Sequence, residues 1–242
     1  MIAVPLPEVD FPGGMCHFVA TPIGNLADIS LRALAVLAAA DEIYAEDTRH
    51  TRRLLNRYGL EAKLSSYHDH NKKQVVPRIV RELQDGRKVA VVSDAGMPCI
   101  SDPGFTLTRE LLRRGMVWTV IPGPSSTLSA LVLSGFSTDR FLFVGYLPRK
   151  KGKRGKLLAE LLQEPGTVIC LESCHRIAST LEILAEQDPR RQVAVAREIT
   201  KLHEETLRGT APELRPLMTG ARLKGELVLV LQGAAEHAAT EE

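Results

Sequence analysis

The sequence predicts an α/β protein built from two α/β domains. Short apolar runs alternate with segments of helical spacing almost from one end of the chain to the other. Such alternation is typical of layered α/β folds. The length of 242 residues exceeds the usual size of a single domain, which favours two.

Eight apolar runs are predicted to be strands, at residues 15–20, 43–45, 88–92, 117–121, 141–144, 167–171, 192–196 and 226–231. Between them, leucines recur every three residues over 31–37 and apolar residues recur every four over 75–83, which predicts amphipathic helices. Asp102 can cap a helix that begins at Pro103, and Thr210 with Glu213 forms a capping box.

The domain boundary is placed at the Pro-Gly-Pro turn of residues 122–124, where the strand-turn-helix pattern pauses. The predicted segments are an N-terminal extension (1–14), an N-terminal α/β domain (15–123), a C-terminal α/β domain (124–233) and a mobile polar tail (234–242). No internal repeat of fixed period is present.

Composition narrows the class of protein. With 44% hydrophobic and 25% charged residues and a net charge of +2, the chain is predicted to be globular and cytoplasmic. It contains no apolar run of membrane-spanning length. The four cysteines form no CxxC pair, which favours reduced thiols. Cys170, Cys174 and His175 lack a second cluster of ligand spacing, so no metal site is expected.

Three turns that follow predicted strands are candidates for ligand binding, because ligands of α/β sheets lie at the carboxyl ends of strands. They are residues 21–25, 93–104 and 122–127. In the first, Gly24 lets the backbone approach a ligand closely. In the second, Asp94 can accept hydrogen bonds from a ligand. In the third, hydroxyl groups stand at a helix N-terminus. Neither GxGxxG nor a P-loop is present.

Three segments rich in charged or aromatic residues are candidates for contacts with a polyanion. Residues 45–52 mix acidic, basic and hydroxyl groups at a strand end, and 65–71 add an aromatic ring and two imidazoles. Residues 149–156 contain six basic residues, and removing them from the total of 31 leaves 25 against 29 acidic residues. That concentration is typical of a phosphate-contacting loop. A solvated loop or helix surface is the alternative for each segment.

Taken together, the motifs resemble the ribosomal RNA small subunit methyltransferase I family over residues 15–233. The motifs that carry the resemblance are VATPIGNLADISLRAL, AEDTRHTRRLL, SYHDHN, VVSDAGMPCISDPG, VIPGPSS, FLFVGYLPRKKGKR, AREITKLHEETLRGT and KGELVLVLQG. This family belongs to the tetrapyrrole-methylase-like class, whose non-Rossmann fold binds S-adenosylmethionine in a cleft between two α/β domains.

The resemblance implies 2′-O-methylation of a cytidine in the decoding region of 16S ribosomal RNA by a homodimer, acting on the RNA or on the small ribosomal subunit. Matched motif by motif, the cofactor contacts fall on Pro22, Gly24, Asp94, Ala95, Gly96, Ser125, Ser126, Leu171, Glu172, Arg197 and Gly225. Met97 stands where the family usually has Thr. Many members also carry a further C-terminal segment beyond the last strand.

A ribose hydroxyl is a weak nucleophile at neutral pH, so a nearby proton acceptor is expected. The candidates are Asp47, Glu46, His50 and Glu198, with Asp94 ranked after them. The residues expected to hold phosphates or to stack on a base are Arg49, Arg52, Arg53, Tyr67, His68, Arg149, Lys150, Lys151, Lys153 and Arg154. Two alternatives are a methyltransferase of the same fold acting on a tetrapyrrole or other small molecule, and a non-catalytic RNA-binding assembly factor.

Overall fold

The computed structural model describes residues 5–100 and 104–241, which fold into two compact units, Met1–Ser125 and Ser126–Glu242. The strands are β1 (Cys16–Val19), β2 (Glu42–Ala45), β3 (Leu64–Ser66), β4 (Val89–Val92), β5 (Trp118–Ile121), β6 (Phe141–Tyr146), β7 (Thr167–Ser173), β8 (Gln192–Arg197), β9 (Glu205–Thr210) and β10 (Glu226–Leu231). The helices are α1 (Leu31–Ala39), α2 (Thr48–Arg57), α3 (Lys72–Gln84), α4 (Phe105–Arg113), α5 (Ser126–Ser134), α6 (Lys151–Leu161), α7 (Ile177–Gln187), α8 (Ala211–Leu214) and α9 (Ala234–Glu241).

The first unit contains a parallel five-stranded sheet of order β3-β2-β4-β1-β5. Its central strand β4 is a continuous apolar run because both faces of the sheet are covered; all four of its residues are buried. One face packs against the buried side of α1, including Leu37, and the other packs against α3 and α4, including Ile79 and Leu107. Since the strands are parallel, their carboxyl ends meet at one edge.

The second unit contains a mixed five-stranded sheet of order β6-β7-β10-β8-β9. β6 and β7 are parallel, whereas β10 is antiparallel to both β7 and β8. Leu158 of α6 and Leu181 of α7 are fully buried in the core beside Leu229 of β10. In this unit the carboxyl ends of β7 and β8 lie at the same edge as the start of β10.

Each of the eight strands predicted from apolar runs is confirmed, with ends displaced by a few residues. The prediction missed β3 and β9, each of which lies at one edge of its sheet. An edge strand pairs on one side only and buries fewer side chains, and the sequences Leu-Ser-Ser and Glu-Thr-Leu-Arg-Gly-Thr carry no apolar run. The opposite edge strands, β5 and β6, were predicted because they do carry apolar runs.

The helix-end predictions have different outcomes. The helices over 31–37 and 75–83 are confirmed as α1 and α3, and the capping box of Thr210 and Glu213 is confirmed at the start of α8. The cap assigned to Asp102 lies outside the described residues. The sequence-based boundary lies two residues before the division between the units.

The ends of the chain differ from expectation. Phe11, in the segment predicted as an extension, is buried in the core of the first unit. Residues 234–241, predicted as a mobile tail, form α9. Four alanines in this segment favour the helix. Within the described part of the chain, every helix is too short or too polar to cross a bilayer.

A buried carboxylate anchors the amino end of β2. Glu42 is fully buried, and its oxygens lie 2.7 Å from Lys63 Nζ, 3.4 Å from Arg78 Nη2 and 3.5 Å from Arg87 Nη2. The Ser65 hydroxyl donates a hydrogen bond of 2.5 Å to the same carboxylate. Burial acts to raise the pKa of Glu42, but Lys63, Ser65 and Arg78 outweigh it, so its pKa lies below the ordinary value of 4.5.

This lowered pKa makes the stability of the first unit depend on pH. A carboxyl group whose pKa is lower in the folded state stabilises the protein above its unfolded pKa, and that contribution is lost as pH falls through the folded value. We expect Glu42→Gln to flatten the loss of unfolding free energy between about pH 5 and pH 3. Urea denaturation across this range, with exposed Glu61→Gln as the control, checks it. An unchanged pH slope would contradict it.

Candidate functional site

Three loops of the first unit meet at the carboxyl edge of its sheet, as the sequence predicts. They follow β1, β4 and β5, which are neighbours in the sheet. Thr21 and Gly96 exchange backbone hydrogen bonds of 2.9 and 3.0 Å. The Thr21 hydroxyl also donates to the Ser93 carbonyl oxygen at 3.1 Å. The first two loops are therefore joined to each other by hydrogen bonds.

The same loops approach so closely that two positions favour glycine. A Cβ atom on Gly96 would lie 3.3 Å from Ile23 Cγ2 and 3.6 Å from the Pro124 carbonyl oxygen, and its φ of +80° is a conformation that favours glycine. A Cβ atom on Gly123 would lie 2.9 Å from the Cβ atom of Ala20. These glycines allow the loops after β1, β4 and β5 to pack closely, and we call the surface that the three loops form at this sheet edge the cradle.

The predicted contact residues of the first unit line this cradle in different ways. Pro22 is buried, whereas Gly24 and Ala95 are exposed at the loop surfaces. Asp94 is half-buried and accepts a hydrogen bond of 2.9 Å from the backbone N–H of Asp47. Asp94 therefore ties the loop after β4 to the start of α2 and keeps part of its carboxylate for a ligand.

Two adjacent acidic groups at the end of β2 have opposite electrostatic environments. Burial raises the pKa of Glu46 above its ordinary value, and the carboxylates of Asp94 and Asp69 add to the increase. Asp47 caps α2, and hydrogen bonds from the Arg49 guanidinium and backbone hold its pKa well below the ordinary value. Of the two, only Glu46 has the raised proton affinity that suits a base.

The basic side chains of α2 surround this acidic pair. Arg49, Arg52 and Arg53 are exposed, as is His50. A surface cavity of about 270 Å³ is lined by Asp47, Arg49, His50 and Arg53. Arg52 donates to the Ala62 carbonyl oxygen at 3.4 Å, so it also holds α2 against the segment before β3.

Of the two residues predicted to stack on a base, one is buried and the other is only half-buried. Tyr67 is buried in the core with Val76 and Ile79, so its ring is not available to stack on a base. His68 is half-buried, and its backbone N–H bonds to the Asn71 side chain at 2.9 Å. The aromatic residue of the Ser-Tyr-His motif packs inside the unit, and His68 stays at the surface.

In the second unit the predicted cofactor residues meet at one edge of the sheet. Leu227 at the start of β10 is paired with Glu172 of β7 and with Arg197 of β8. Leu171 lies next in β7, and Gly225 immediately precedes β10. These residues are therefore neighbours within this unit.

Two of these side chains are committed to the protein itself. Glu172 is fully buried and accepts hydrogen bonds from the Ser173 N–H, the Arg176 guanidinium and the Thr180 hydroxyl at 2.7, 2.8 and 2.6 Å. Arg197 is buried and donates to backbone carbonyl oxygens, including that of Lys224 at 3.2 Å. Any contact of Glu172 with a ligand would therefore be made by its backbone.

Glu198 adopts a strained conformation directly after β8. Its φ is +50°, uncommon for a residue other than glycine. Its carboxylate accepts the Glu226 N–H at 2.9 Å and the Lys201 ammonium at 3.0 Å. Burial acts to raise the pKa of Glu198, but these two donors outweigh it and the pKa is lowered. Gly225 has a φ of +86°, a conformation that favours glycine, and a Cβ atom there would meet the Glu198 carboxylate.

The basic segment predicted as a loop forms the first turns of α6 instead. Arg149, Lys150, Lys151 and Lys153 are exposed. Arg154 is buried, and its guanidinium donates to the carbonyl oxygens of Pro148 and Arg149 and to the Ser179 hydroxyl. Arg154 therefore holds the segment before α6 to α7 and is not available to contact phosphate.

Two residues that begin the predicted turns, but were not predicted as site residues, shape the site. Thr21 and Ser93 are buried, and their hydroxyl groups bond to the loops after β4 rather than to solvent. The available signal was a polar residue close after a fully buried strand. Ser125 is half-buried at the end of the first unit, and Ser126 begins α5. Among the described residues, no group of His, Cys, Asp or Glu could hold a metal ion.

Comparison with known proteins defines the class. The family model of Tetrapyrrole (Corrin/Porphyrin) Methylases matches residues 15–215. A crystal structure of diphthine synthase superposes with a TM-score of 0.67 and 18% identity, covering 90% of each chain. Uroporphyrin-III-C-methyltransferase from Thermus thermophilus superposes with a TM-score of 0.62 and 20% identity, covering 94% of this chain and 98% of that one. The protein has the tetrapyrrole-methylase fold and belongs to that class.

Relatives of higher identity define the family within the class. The ribosomal RNA small subunit methyltransferase I of Halalkalibacterium halodurans is 44% identical over 95% of this chain and 79% of its own. The protein of that name from Thermotoga maritima is 44% identical over 91% of this chain and 99% of its own. The one from Escherichia coli O157:H7 is 44% identical over 97% and 82%. The chain belongs to the ribosomal RNA small subunit methyltransferase I family.

Proposed function

We propose that this chain transfers a methyl group from S-adenosylmethionine to the 2′-hydroxyl of a cytidine in the decoding region of 16S ribosomal RNA. The observation that carries the proposal is 44% identity to ribosomal RNA small subunit methyltransferase I over almost the whole chain. The loops that the family motifs assign to the cofactor also meet at one sheet edge in the first unit.

The residues of the cradle fit a nucleoside cofactor. Gly96 and Gly123 allow the loops that form the cradle to pack closely, and the Asp94 carboxylate can accept hydrogen bonds from hydroxyl or ammonium groups. Bound there, S-adenosylmethionine supplies a methyl group that is already activated by its sulfonium charge. The residues proposed to hold it are Pro22, Gly24, Asp94, Ala95, Gly96, Ser125 and Ser126, with Leu171, Arg197, Gly225 and the backbone of Glu172 from the second unit.

Glu46 is the proposed general base. Removal of the ribose proton requires an acceptor whose pKa is not far below the working pH. Burial and Asp94 raise the pKa of Glu46, whereas Arg49 lowers that of Asp47 and Lys201 with the Glu226 N–H lowers that of Glu198. His50 is exposed on the first turn of α2 and is the second candidate.

The RNA is proposed to contact exposed basic side chains of both units. They are Arg49, Arg52 and Arg53 on α2 and Arg149, Lys150, Lys151 and Lys153 at the start of α6. Such contacts to phosphate fix the register of the RNA without reading its sequence. His68 is the surface residue left to stack on an unpaired base.

We also propose that the enzyme is a homodimer in the cytoplasm, where its ribosomal substrate is found. Exposed apolar side chains, including Val120, Val132 and Tyr146, are available for an interface between subunits. Light scattering of the purified protein tests the dimer, because a monomer mass at working concentration would refute it. Fractionation of cells tests the location.

The function is tested with purified protein, labelled S-adenosylmethionine and small subunits that lack the modification. We expect label to appear on the 2′-oxygen of one cytidine and to be released by RNase. Label on a tetrapyrrole but not on RNA would support the alternative small-molecule methyltransferase. Absence of transfer to RNA, together with absence of heat stabilisation by the cofactor, would support a non-catalytic RNA-binding factor.

A further inference from the structure

A groove of about 670 Å³ is lined by residues of α3 and α4 of the first unit. Helix α4 supplies its apolar wall. Leu107 and Leu111 of this helix are fully buried in the core, but Phe105 and Leu112 are 67% and 69% exposed and line the groove. Phe105 therefore presents an aromatic ring to solvent that the core of the unit does not use.

The walls of the groove are strongly basic. Lys72 and Lys73 line it from α3, and Arg109 and Arg113 line it from α4, against the single acidic residue Glu110. The guanidinium of Arg109 lies 5.8 Å from the centroid of the Phe105 ring. Arg113 is paired with Glu110 and Lys72 with Asp69, whereas Lys73 and Arg109 form no ion pair with any residue that the structure describes.

We propose that this groove binds a single-stranded segment of the RNA substrate. A base stacks on the Phe105 ring, and phosphates lie against Lys73 and Arg109. Exposed aromatic rings interleaved with cations are the recognition elements of single-stranded nucleic acids. The proposal rests on the proposed function, since it adds a second contact surface for the same RNA.

The charges that line the groove distinguish between two occupants, RNA and a second copy of the chain. In a two-fold symmetric interface, a surface contacts the same surface of its partner. Four basic residues and one acidic residue would then face an equal set, and like charges would repel. A polyanion meets the same cations favourably and releases its counterions on binding. The groove is therefore complementary to RNA and not to itself.

Equilibrium binding of a labelled oligoribonucleotide with the sequence of the substrate strand tests the proposal across a range of salt concentrations. For the double variant Lys73→Gln, Arg109→Gln, we expect the slope of log K against log salt to become shallower by about 1.4, which corresponds to two phosphate contacts on a single strand. For Phe105→Ala, we expect roughly tenfold weaker binding at an unchanged slope. Arg81→Gln, on the exposed part of α3 outside the groove, is the control and should match wild type.

Wild-type affinity and wild-type slope in all variants would overturn the proposal. If Phe105→Ala lowers the molar mass in solution and leaves RNA binding unchanged, the groove is an interface between copies, and the proposal is equally refuted. A different result would refute the proposed function: a wild-type protein that binds the oligonucleotide but does not methylate the small subunit. Because Phe105 is exposed, the melting temperature of the variant should equal that of wild type, which checks its folding.

Discussion

Replacing Glu46 by Gln is expected to lower the rate of methyl transfer by about 10²- to 10⁴-fold, the usual contribution of a general base. Cofactor affinity should change little. Glutamine keeps the size of the side chain at the end of β2 and one acceptor oxygen but cannot accept a proton at neutral pH. The measurement is single-turnover transfer of label to small subunits, with cofactor binding followed by calorimetry.

The reason for expecting the effect at Glu46 is its environment. The group is half-buried and lies near the carboxylates of Asp94 and Asp69, so its charged form is disfavoured and its pKa is raised. His68 and the Asp94 N–H act in the opposite direction and do not cancel the increase. A base with a raised pKa has a stronger tendency to take the ribose proton.

Asp47→Asn is the matched control. Asparagine caps helices as well as aspartate does, so α2 should remain intact while the ion pair with Arg49 is lost. We expect a small effect on transfer compared with Glu46→Gln. The acidic limb of the pH-rate profile should also disappear in Glu46→Gln and persist in Asp47→Asn. Full activity of Glu46→Gln would exclude it as the base and transfer the role to His50.

The interior of the fold was predictable because burial leaves a pattern in the sequence. Strands such as β4, with every residue buried, read as apolar runs, and α3 reads as a period of four. The edge strands β3 and β9 left no such pattern. Helix α9 was missed for another reason: its alanines indicate neither an apolar face nor a turn, and their helix propensity is a weak signal by itself.

The site was predictable to the level of loops but not of side-chain roles. Gly and Pro after a strand indicate where backbones approach closely, and the convergence of the loops at Thr21 and Gly96 agrees with this. Whether a charged residue faces a ligand or the protein depends on packing of distant segments. Arg154 and Tyr67 are residue types that often contact RNA. In this protein Arg154 donates a hydrogen bond to the Ser179 hydroxyl, and Tyr67 packs in the core of the first unit.

Glu172→Ala is expected to lower the free energy of unfolding of the second unit by about 3–5 kcal/mol, because it removes one partner of a buried ion pair. The carboxylate is fully buried, and its oxygens lie 2.6 Å from both Arg176 Nη2 and the Thr180 hydroxyl. Thr180 is itself fully buried, so its hydroxyl would lose its acceptor without access to water. Since domains of this size are stable by only about 5–15 kcal/mol, the variant should melt roughly 10 °C or more below wild type.

Urea denaturation of Glu172→Ala and Glu172→Gln separates the contributions of charge and volume. Glutamine can still accept hydrogen bonds from Thr180 and the Ser173 N–H but does not neutralise Arg176, so it should destabilise less than alanine. Exposed Glu160→Ala in α6 should lie within about 0.5 kcal/mol of wild type. The family motifs assign Glu172 to the cofactor, whereas its hydrogen bonds assign its side chain to the fold. A stable Glu172→Ala protein that no longer binds S-adenosylmethionine would reverse that assignment, because a side chain committed to Arg176 and Thr180 cannot be removed without loss of stability.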